Sequence, residues 1–235
     1  MEKTAFALLM NDIHVSNNNI SEFEKNYREA LKICEENSIP YLFVGGDLFQ
    51  SSSSQTLDVL MAAKRFINDF LDHDIKVVLA EGNHDKINKE SFYGYCHLFE
   101  DIKNVNVVGD YVTYHNNVFS ITIMSYFPEN GGFKRNLNSL KKELDKNKKN
   151  ILYIHEGISG GLSNISDTEL SPDVFDDNIF DVVLSGHYHN RCKIKNTNIN
   201  ISALQDSIIL EKMKTKDIQY FMMMEAISLF RIKLM

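Results

Sequence analysis

Three uninterrupted apolar runs fall within the first 80 residues: Thr4-Ala5-Phe6-Ala7-Leu8-Leu9-Met10, Tyr41-Leu42-Phe43-Val44 and Val77-Val78-Leu79-Ala80. A strand that exposed one face would alternate apolar and polar residues; a continuous run is expected of a strand covered on both faces. Helical segments separate the runs. Phe23, Tyr27, Ala30, Leu31 and Cys34 recur at helical spacing, Ser21 with Glu24 reads as a capping box, and Asn37-Ser38-Ile39-Pro40 stops that helix. A second helix is expected over residues 56–71, after a Ser/Gln loop at 50–55. Repeated strand–loop–helix units mean a parallel sheet with right-handed crossovers.

The rest of the chain supplies a second group of strands. A short helix is expected at 91–99 and a strand at 105–108. A hairpin turns at Asn116-Asn117, residues that tolerate positive φ. A charged, exposed helix is expected over 138–149, and strands at 151–154 and 181–185. Between these strands lie a Gly/Ser-rich loop at 157–170 and Ser171-Pro172, an N-cap followed by a proline in the first turn. The fold class expected is α/β: a two-sheet α/β sandwich flanked by helices, with residues 1–235 as one domain.

Polar groups at the strand ends carry the chemistry. The first run ends in Asp12 and His14, the second in Asp47, and the third in Asn83, His84 and Asp85. Later strands end in His155 and in His187 and His189. A loop after a strand in an open α/β sheet is where ligands bind. Asp12/His14 and His187/His189 are each one residue apart and can point to one side of an extended segment. The three cysteines, Cys34, Cys96 and Cys192, are dispersed and fit neither a zinc spacing nor a disulfide framework. Carboxylate, imidazole and amide donors without thiolate suit Mn²⁺, Fe or Zn²⁺. Counting gives Asp12, His14, Asp47 and His189 for one ion and Asp47, Asn83, His155 and His187 for another, with Asp47 bridging. His84 is left over to act on substrate. Two ions roughly 3.5–4 Å apart clamp an in-line phosphoryl displacement.

The series Asp12-Ile13-His14, Gly46-Asp47, Gly82-Asn83-His84-Asp85, His155 and Gly186-His187-Tyr188-His189 resembles the calcineurin-like metallophosphoesterases, with every block in order across residues 12–189. The resemblance implies that family's fold and a phosphodiester hydrolysed by attack of a metal-bridged hydroxide. It implies two divalent ions, Mn²⁺ first among them. It also implies that His84 contacts the scissile phosphate and Asp85 orients His84. A narrower likeness is to the SbcD-type DNA repair nuclease subunits. It rests on Gly46-Asp47-Leu48-Phe49 with its Ser-rich sequel, on Ala80-Glu81-Gly82-Asn83-His84-Asp85, and on Ser202-Ala203-Leu204-Gln205-Asp206-Ser207. It implies an exonuclease acting on DNA ends with an SbcC-type ATPase partner. The chain departs from it at Gln50, where those nucleases often carry His, and has no room for their C-terminal capping domain. A small-molecule phosphomonoesterase or phosphodiesterase and a non-catalytic scaffold are the competing readings.

The net charge of −7 presents no basic surface for nucleic acid, although bound cations would invert the local field. Cysteine usage and the lack of a signal-peptide pattern fit the cytoplasm. The apolar run 218–235, broken by Glu225, Arg231 and Lys233, reads as paired strands or a homodimer edge rather than a membrane span. His73, His97 and His115 match no block and read as surface or locally hydrogen-bonded residues, and Cys96 as a small buried hydrophobe. Phe49 and Tyr188 flank the blocks and would serve either as stacking surfaces for a base or as packing.

Overall fold

A computed structural model describes residues 5–88, 91, 93–117, 119–127, 132–161, 169–175, 178–189, 192–201 and 208–211. Strands β1 (Ala5–Met10), β2 (Tyr41–Gly45), β3 (Lys76–Ala80) and β4 (Val105–Val108) pair in parallel in that order. Helices α1 (Ile20–Glu36) and α2 (Leu57–Leu71) make the first two crossovers, and a 3-10 helix at Tyr95–Phe99 lies in the third. The second sheet runs β5 (Tyr111–His115), β6 (Phe119–Met124), β7 (Lys149–Ile154), β8 (Val182–Ser185), β10 (Ile199–Ile201) and β9 (Cys192–Lys193). Only its hairpin β5/β6 and its edge pair β10/β9 are antiparallel. Strand β11 (Ile208–Glu211) returns to the first sheet, antiparallel to β1.

The apolar runs are continuous because each strand serves two cores. In β1 to β3, Leu8, Met10, Leu42, Val44, Val77 and Leu79 face the helices with Phe23, Tyr27, Phe66 and Phe70. Their neighbours Ala7, Leu9, Phe43, Val78 and Ala80 face the second sheet and meet Ile121, Ile123, Ile151, Tyr153, Val182 and Leu184. A third cluster, with Leu137, Leu140, Leu152, Ile154 and Phe175, covers the outer face of the second sheet. The register aligns the strand ends: Met10 pairs with Val44, Gly45 with Ala80 and Ile154 with Ser185. The loops that follow these residues therefore leave the sandwich at one edge.

Two local expectations are corrected. Helix α1 starts at Ile20, so Ser21 lies inside the first turn and is no cap. Glu24 receives Arg65 instead, Nη2 to Oε1 at 2.6 Å. Asn19 stands at the N-cap position, but its side chain accepts Ser16 N–H (2.8 Å) and donates to the His14 carbonyl (3.0 Å), bracing the β1 loop. The third helix, α3, spans Gly132–Glu143 rather than 138–149. Phe133, Leu137 and Leu140 supply the buried stripe, whereas the lysine-rich stretch adds only the partly buried Leu144. Residues 145–148 turn instead, with Asp145 accepting Asn147 N–H, and β7 begins at Lys149. Finally, the short helix expected at 91–99 is present as a 3-10 helix whose bounds are Tyr95–Phe99. The expectations for residues 162–168, 202–207 and 218–235 fall outside the described residues. Among the described residues no helix is long and apolar enough to cross a membrane.

Phe66 is fully buried with its ring centroid 5.3–5.5 Å from those of Phe23, Tyr27 and Phe70. Phe66→Ala is expected to cost about 3–5 kcal/mol in urea unfolding; a loss below about 1 kcal/mol would contradict this packing.

Candidate metal centre

The loops after β1 and β2 are zipped together beyond the last strand residues. Asp12 N–H donates to the Gly46 carbonyl (3.1 Å), His14 N–H to Asp47 (2.9 Å) and Val15 N–H to Leu48 (2.9 Å). Alternate side chains thereby meet across the two loops. The β3 loop is fastened to them by Asp85, whose buried carboxylate accepts N–H groups from Gly82 (2.8 Å), Phe49 (2.9 Å) and Leu48 (3.3 Å). The second sheet joins through His187, whose N–H donates to both Asp12 oxygens, 3.0 Å to Oδ1 and 3.2 Å to Oδ2.

The candidate ligands do not lie on extended segments, as the one-residue spacing suggested. Asp12, His14, Asp47, His187 and His189 all have φ between 51° and 89°. Asp and His tolerate this left-handed region better than most residues, yet each instance costs on the order of 1–3 kcal/mol. Glycines before three of the blocks permit close approach. A Cβ on Gly82 would lie 2.1 Å from Asp47 Oδ1, one on Gly46 2.5 Å from His155 Nδ1, and one on Gly186 2.9 Å from Asp12 Oδ2.

Among the described residues, three overlapping groups bring their donor atoms within 4.8 Å of one another, the approach a shared metal ion needs: Asp12, His14 and His189; Asp12, Asp47 and His155; and His14, Asp47 and His84. His189 Nε2 lies 3.3 Å from Asp12 Oδ1 and 2.9 Å from His14 Nε2. His155 Nε2 lies 3.1 Å from Asp47 Oδ2 and 3.8 Å from Asp12 Oδ1, and His14 Nε2 3.6 Å from Asp47 Oδ2. Asn83 Oδ1 approaches His187 Nδ1 at 3.0 Å. All seven expected ligands are thus at one edge: five in direct mutual approach, and Asn83 with His187 as a pair joined to Asp12 through the His187 amide.

The electrostatics fit a divalent cation. Burial would raise Asp47, but His155, His14 and the His84 N–H hold it well below the carboxylate range. Burial likewise opposes ionisation of Asp12, which His189, His155 and Asn11 overcome. Burial pushes His14 and His187 down to about 4, leaving both neutral with a lone pair to offer. Burial also disfavours a charge on His155, yet Asp47, Asp12 and Asp85 pull it up to about 10: a proton there is held by carboxylates that call for positive charge. His155 Nε2 and His14 Nδ1 are buried without an aligned hydrogen bond. Converging anionic oxygens and imidazole nitrogens are the donor set of a divalent cation site.

His84 stands beside the cluster, its ring 4.9 Å from that of His14 and its N–H on Asp47 Oδ1 at 2.9 Å. Its Nδ1 lies 2.7 Å from the Gln50 carbonyl oxygen. That carbonyl, not Asp85, orients the ring; Asp85 uses its carboxylate on three backbone amides. A main-chain acceptor has no sequence signature, which is why it escaped notice. Phe49 is fully buried against Tyr95 and offers no stacking face. His97 is one of the locally hydrogen-bonded histidines: its Nδ1 lies 3.2 Å from Glu81 Oε1, while Lys86 Nζ approaches Oε2 at 2.9 Å. Asn11 and Tyr153 also belong to the surroundings of Asp12. The position of Tyr153 two residues before His155, on the same face of its strand, was the available signal.

The calcineurin-like phosphoesterase family matches residues 7–191. Protein 078R of Invertebrate iridescent virus 3, provisionally named a phosphoesterase, is 25% identical over 196 residues, 81% of this chain and 54% of that protein. The SbcD chain of the SbcCD nuclease of Staphylococcus saprophyticus is 25% identical over 198 residues, 74% of this chain and 51% of that protein. The chain thus spans about half the length of these curated relatives. Among solved structures, a dimetal phosphatase from Danio rerio superposes with a TM-score of 0.57 at 10% identity, covering 85% of this chain and 87% of that one. TT1561 of Thermus thermophilus gives 0.55 at 8% identity, covering 89% and 98%. Both show the same fold.

Gly82→Ala would drive a methyl group into the Asp47 carboxylate. Bound divalent metal per chain, measured by plasma mass spectrometry after Mn²⁺ loading, is expected to fall by half or more with the circular dichroism spectrum retained. Undiminished metal content would show that the β3 loop need not approach Asp47 so closely.

Proposed function

Because the chain belongs to the calcineurin-like phosphoesterase family, we propose that this hydrolase of phosphate esters acts on phosphodiesters through a dinuclear centre, with Mn²⁺ as the preferred metal. The observation that carries the reading is the convergence of Asp12, His14, Asp47, His155 and His189 beside a histidine, His84, held by a main-chain carbonyl. Asp12, His14, Asp47 and His189 would hold one ion and Asp47, Asn83, His155 and His187 the other. Asp47 Oδ2 faces both His14 and His155, and this carboxylate would be shared by the two groups of ligands. Divalent cations bound there would neutralise phosphate oxygens and acidify a water for in-line displacement.

The protein's own part centres on His84. A carbonyl oxygen can only accept, so the proton of neutral His84 sits on Nδ1 and faces Gln50. Nε2 is then the ring atom left for substrate. With a second proton there, it donates to a phosphate oxygen or to the departing alkoxide. Asp85 serves this arrangement indirectly, by keeping the Gly82 turn against Leu48 and Phe49.

Within the phosphodiesters, nucleic-acid ends are the substrate favoured by the match to the SbcD chain of the SbcCD nuclease, and an SbcC-type ATPase would be the corresponding partner. A small-molecule diester is the second reading, favoured by the net charge of −7.

The test is hydrolysis of bis-p-nitrophenyl phosphate with Mn²⁺, then of end-labelled single- and double-stranded DNA. Mn²⁺-dependent turnover of the aryl diester is expected, and its absence with Mn²⁺, Ni²⁺ and Zn²⁺ alike would favour a scaffold. Shortening of DNA from its ends supports the nuclease reading; turnover of the aryl diester alone supports the small substrate. His84→Ala is expected to lower kcat about a hundredfold or more at near-normal metal content. Loss of metal in that variant would make His84 a ligand instead.

A further inference from the structure

Both oxygens of Asp12 accept the His187 N–H, at 3.0 Å to Oδ1 and 3.2 Å to Oδ2, but their remaining partners differ. Oδ2 accepts the Asn11 side-chain amide, whereas Oδ1 faces the imidazole nitrogens of His189, His155 and His14 at 3.3, 3.8 and 3.9 Å. Asn11 is 1% exposed and is held from its other end. The Tyr153 hydroxyl, at the inter-sheet core, lies 3.0 Å from Asn11 Oδ1 and 2.8 Å from the Met10 carbonyl. One hydroxyl proton is shared between two acceptors, one on the last residue of β1 and one on the residue after it. With Oδ1 of Asn11 facing Tyr153, its amide nitrogen must face Asp12. The reverse orientation would put an amide oxygen against a carboxylate oxygen, which is repulsive.

The backbone makes room for this relay. A Cβ on Gly45 would lie 2.2 Å from Tyr153 Cζ and 2.4 Å from its Oη, and one on Gly186 would lie 3.2 Å from Asn11 Nδ2 and 2.9 Å from Asp12 Oδ2. Tyr153 is on β7, two residues before His155, so the relay links the strand that delivers His155 to the strand that delivers Asp12.

We propose that Asn11 and Tyr153 are positioning residues that fix which oxygen of Asp12 a divalent ion receives: both oxygens accept the His187 N–H, and the Tyr153–Asn11 relay adds a side-chain hydrogen bond to Oδ2 alone, so that Oδ1 is the oxygen presented to the metal. This rests on the metal-centre reading above and adds two residues to it. Outer groups that orient a ligand typically change metal affinity 10–100-fold when removed. Because the two act in series, their effects should not add.

The experiment is calorimetric titration of Mn²⁺ into the metal-free full chain, wild type beside Asn11→Ala, Tyr153→Phe and the double variant, with thermal melting of each metal-free protein. Tyr153→Phe removes one oxygen and keeps the ring against Gly45, so it tests the relay even if Asn11→Ala fails to fold. Each single variant is expected to bind Mn²⁺ at least tenfold more weakly. The double variant is expected to lie within about threefold of Asn11→Ala. A lower melting temperature with Mn²⁺ affinity within twofold of wild type would overturn the proposal, leaving the relay a purely structural tie. Multiplicative loss in the double variant would also overturn it, because the residues would then act separately. If the wild type itself binds no Mn²⁺, Ni²⁺ or Zn²⁺, the metal-centre reading fails first, and the proposal with it.

Discussion

Asp12 and Asp47 are withdrawn from water, ionised, and aimed at the same imidazole nitrogen of His155. Burying one carboxylate without compensation is expensive, and burying two within reach of one another is more so. The compensation here comes from His155, which carries a proton between the two acids, from His189, and from the Asn11, His84 and His187 N–H groups. Such a set holds its shape only if its surroundings prevent the carboxylates from turning away. The zipped β1 and β2 loops, the left-handed backbone at five candidate ligands and the glycines packed onto side chains all serve that end. Strain of this kind persists where rigid structure surrounds it, and both sheets end here in strands buried on two faces.

Much of this was legible in the residues. Uninterrupted apolar runs announced covered parallel strands, and donor type and position after those runs marked Asp12, His14, Asp47, His155, His187 and His189, which the fold brings to one edge as a candidate metal site. What escaped has a common cause. The order of the chain shows which side chains exist, but not which backbone groups they meet. Gln50 enters through its carbonyl, and Asp85 through three amides of the neighbouring loops. Ser21 and Glu24 have the spacing of a capping box, yet Asn19, which braces the His14 carbonyl, stands at the helix start. The register of α3 failed for a different reason: charge at 141–149 drew attention, while the buried stripe of Phe133, Leu137 and Leu140 decided where the helix lies.

The fold is shared with proteins of 8–10% identity, and the core and the site edge of this chain make different demands on its sequence. The inter-sheet core needs only apolar residues of suitable volume. The edge needs particular atoms at particular ends of strands from both sheets. Tyr153 lies where these demands meet: its ring belongs to the core, and its hydroxyl reaches the residue beside Asp12. Function therefore depends on the relative placement of the two sheets as much as on any single loop.

On this account, strands of both sheets assemble one dinuclear site around Asp47. Mn²⁺ stoichiometry and electron paramagnetic resonance of wild type and Asp47→Asn test it most directly. Two ions per chain with the signature of an exchange-coupled pair are expected in the wild type, and weakened binding of both in the variant. Retention of one ion at wild-type affinity in Asp47→Asn, or two uncoupled ions in the wild type, would contradict a shared carboxylate at the centre.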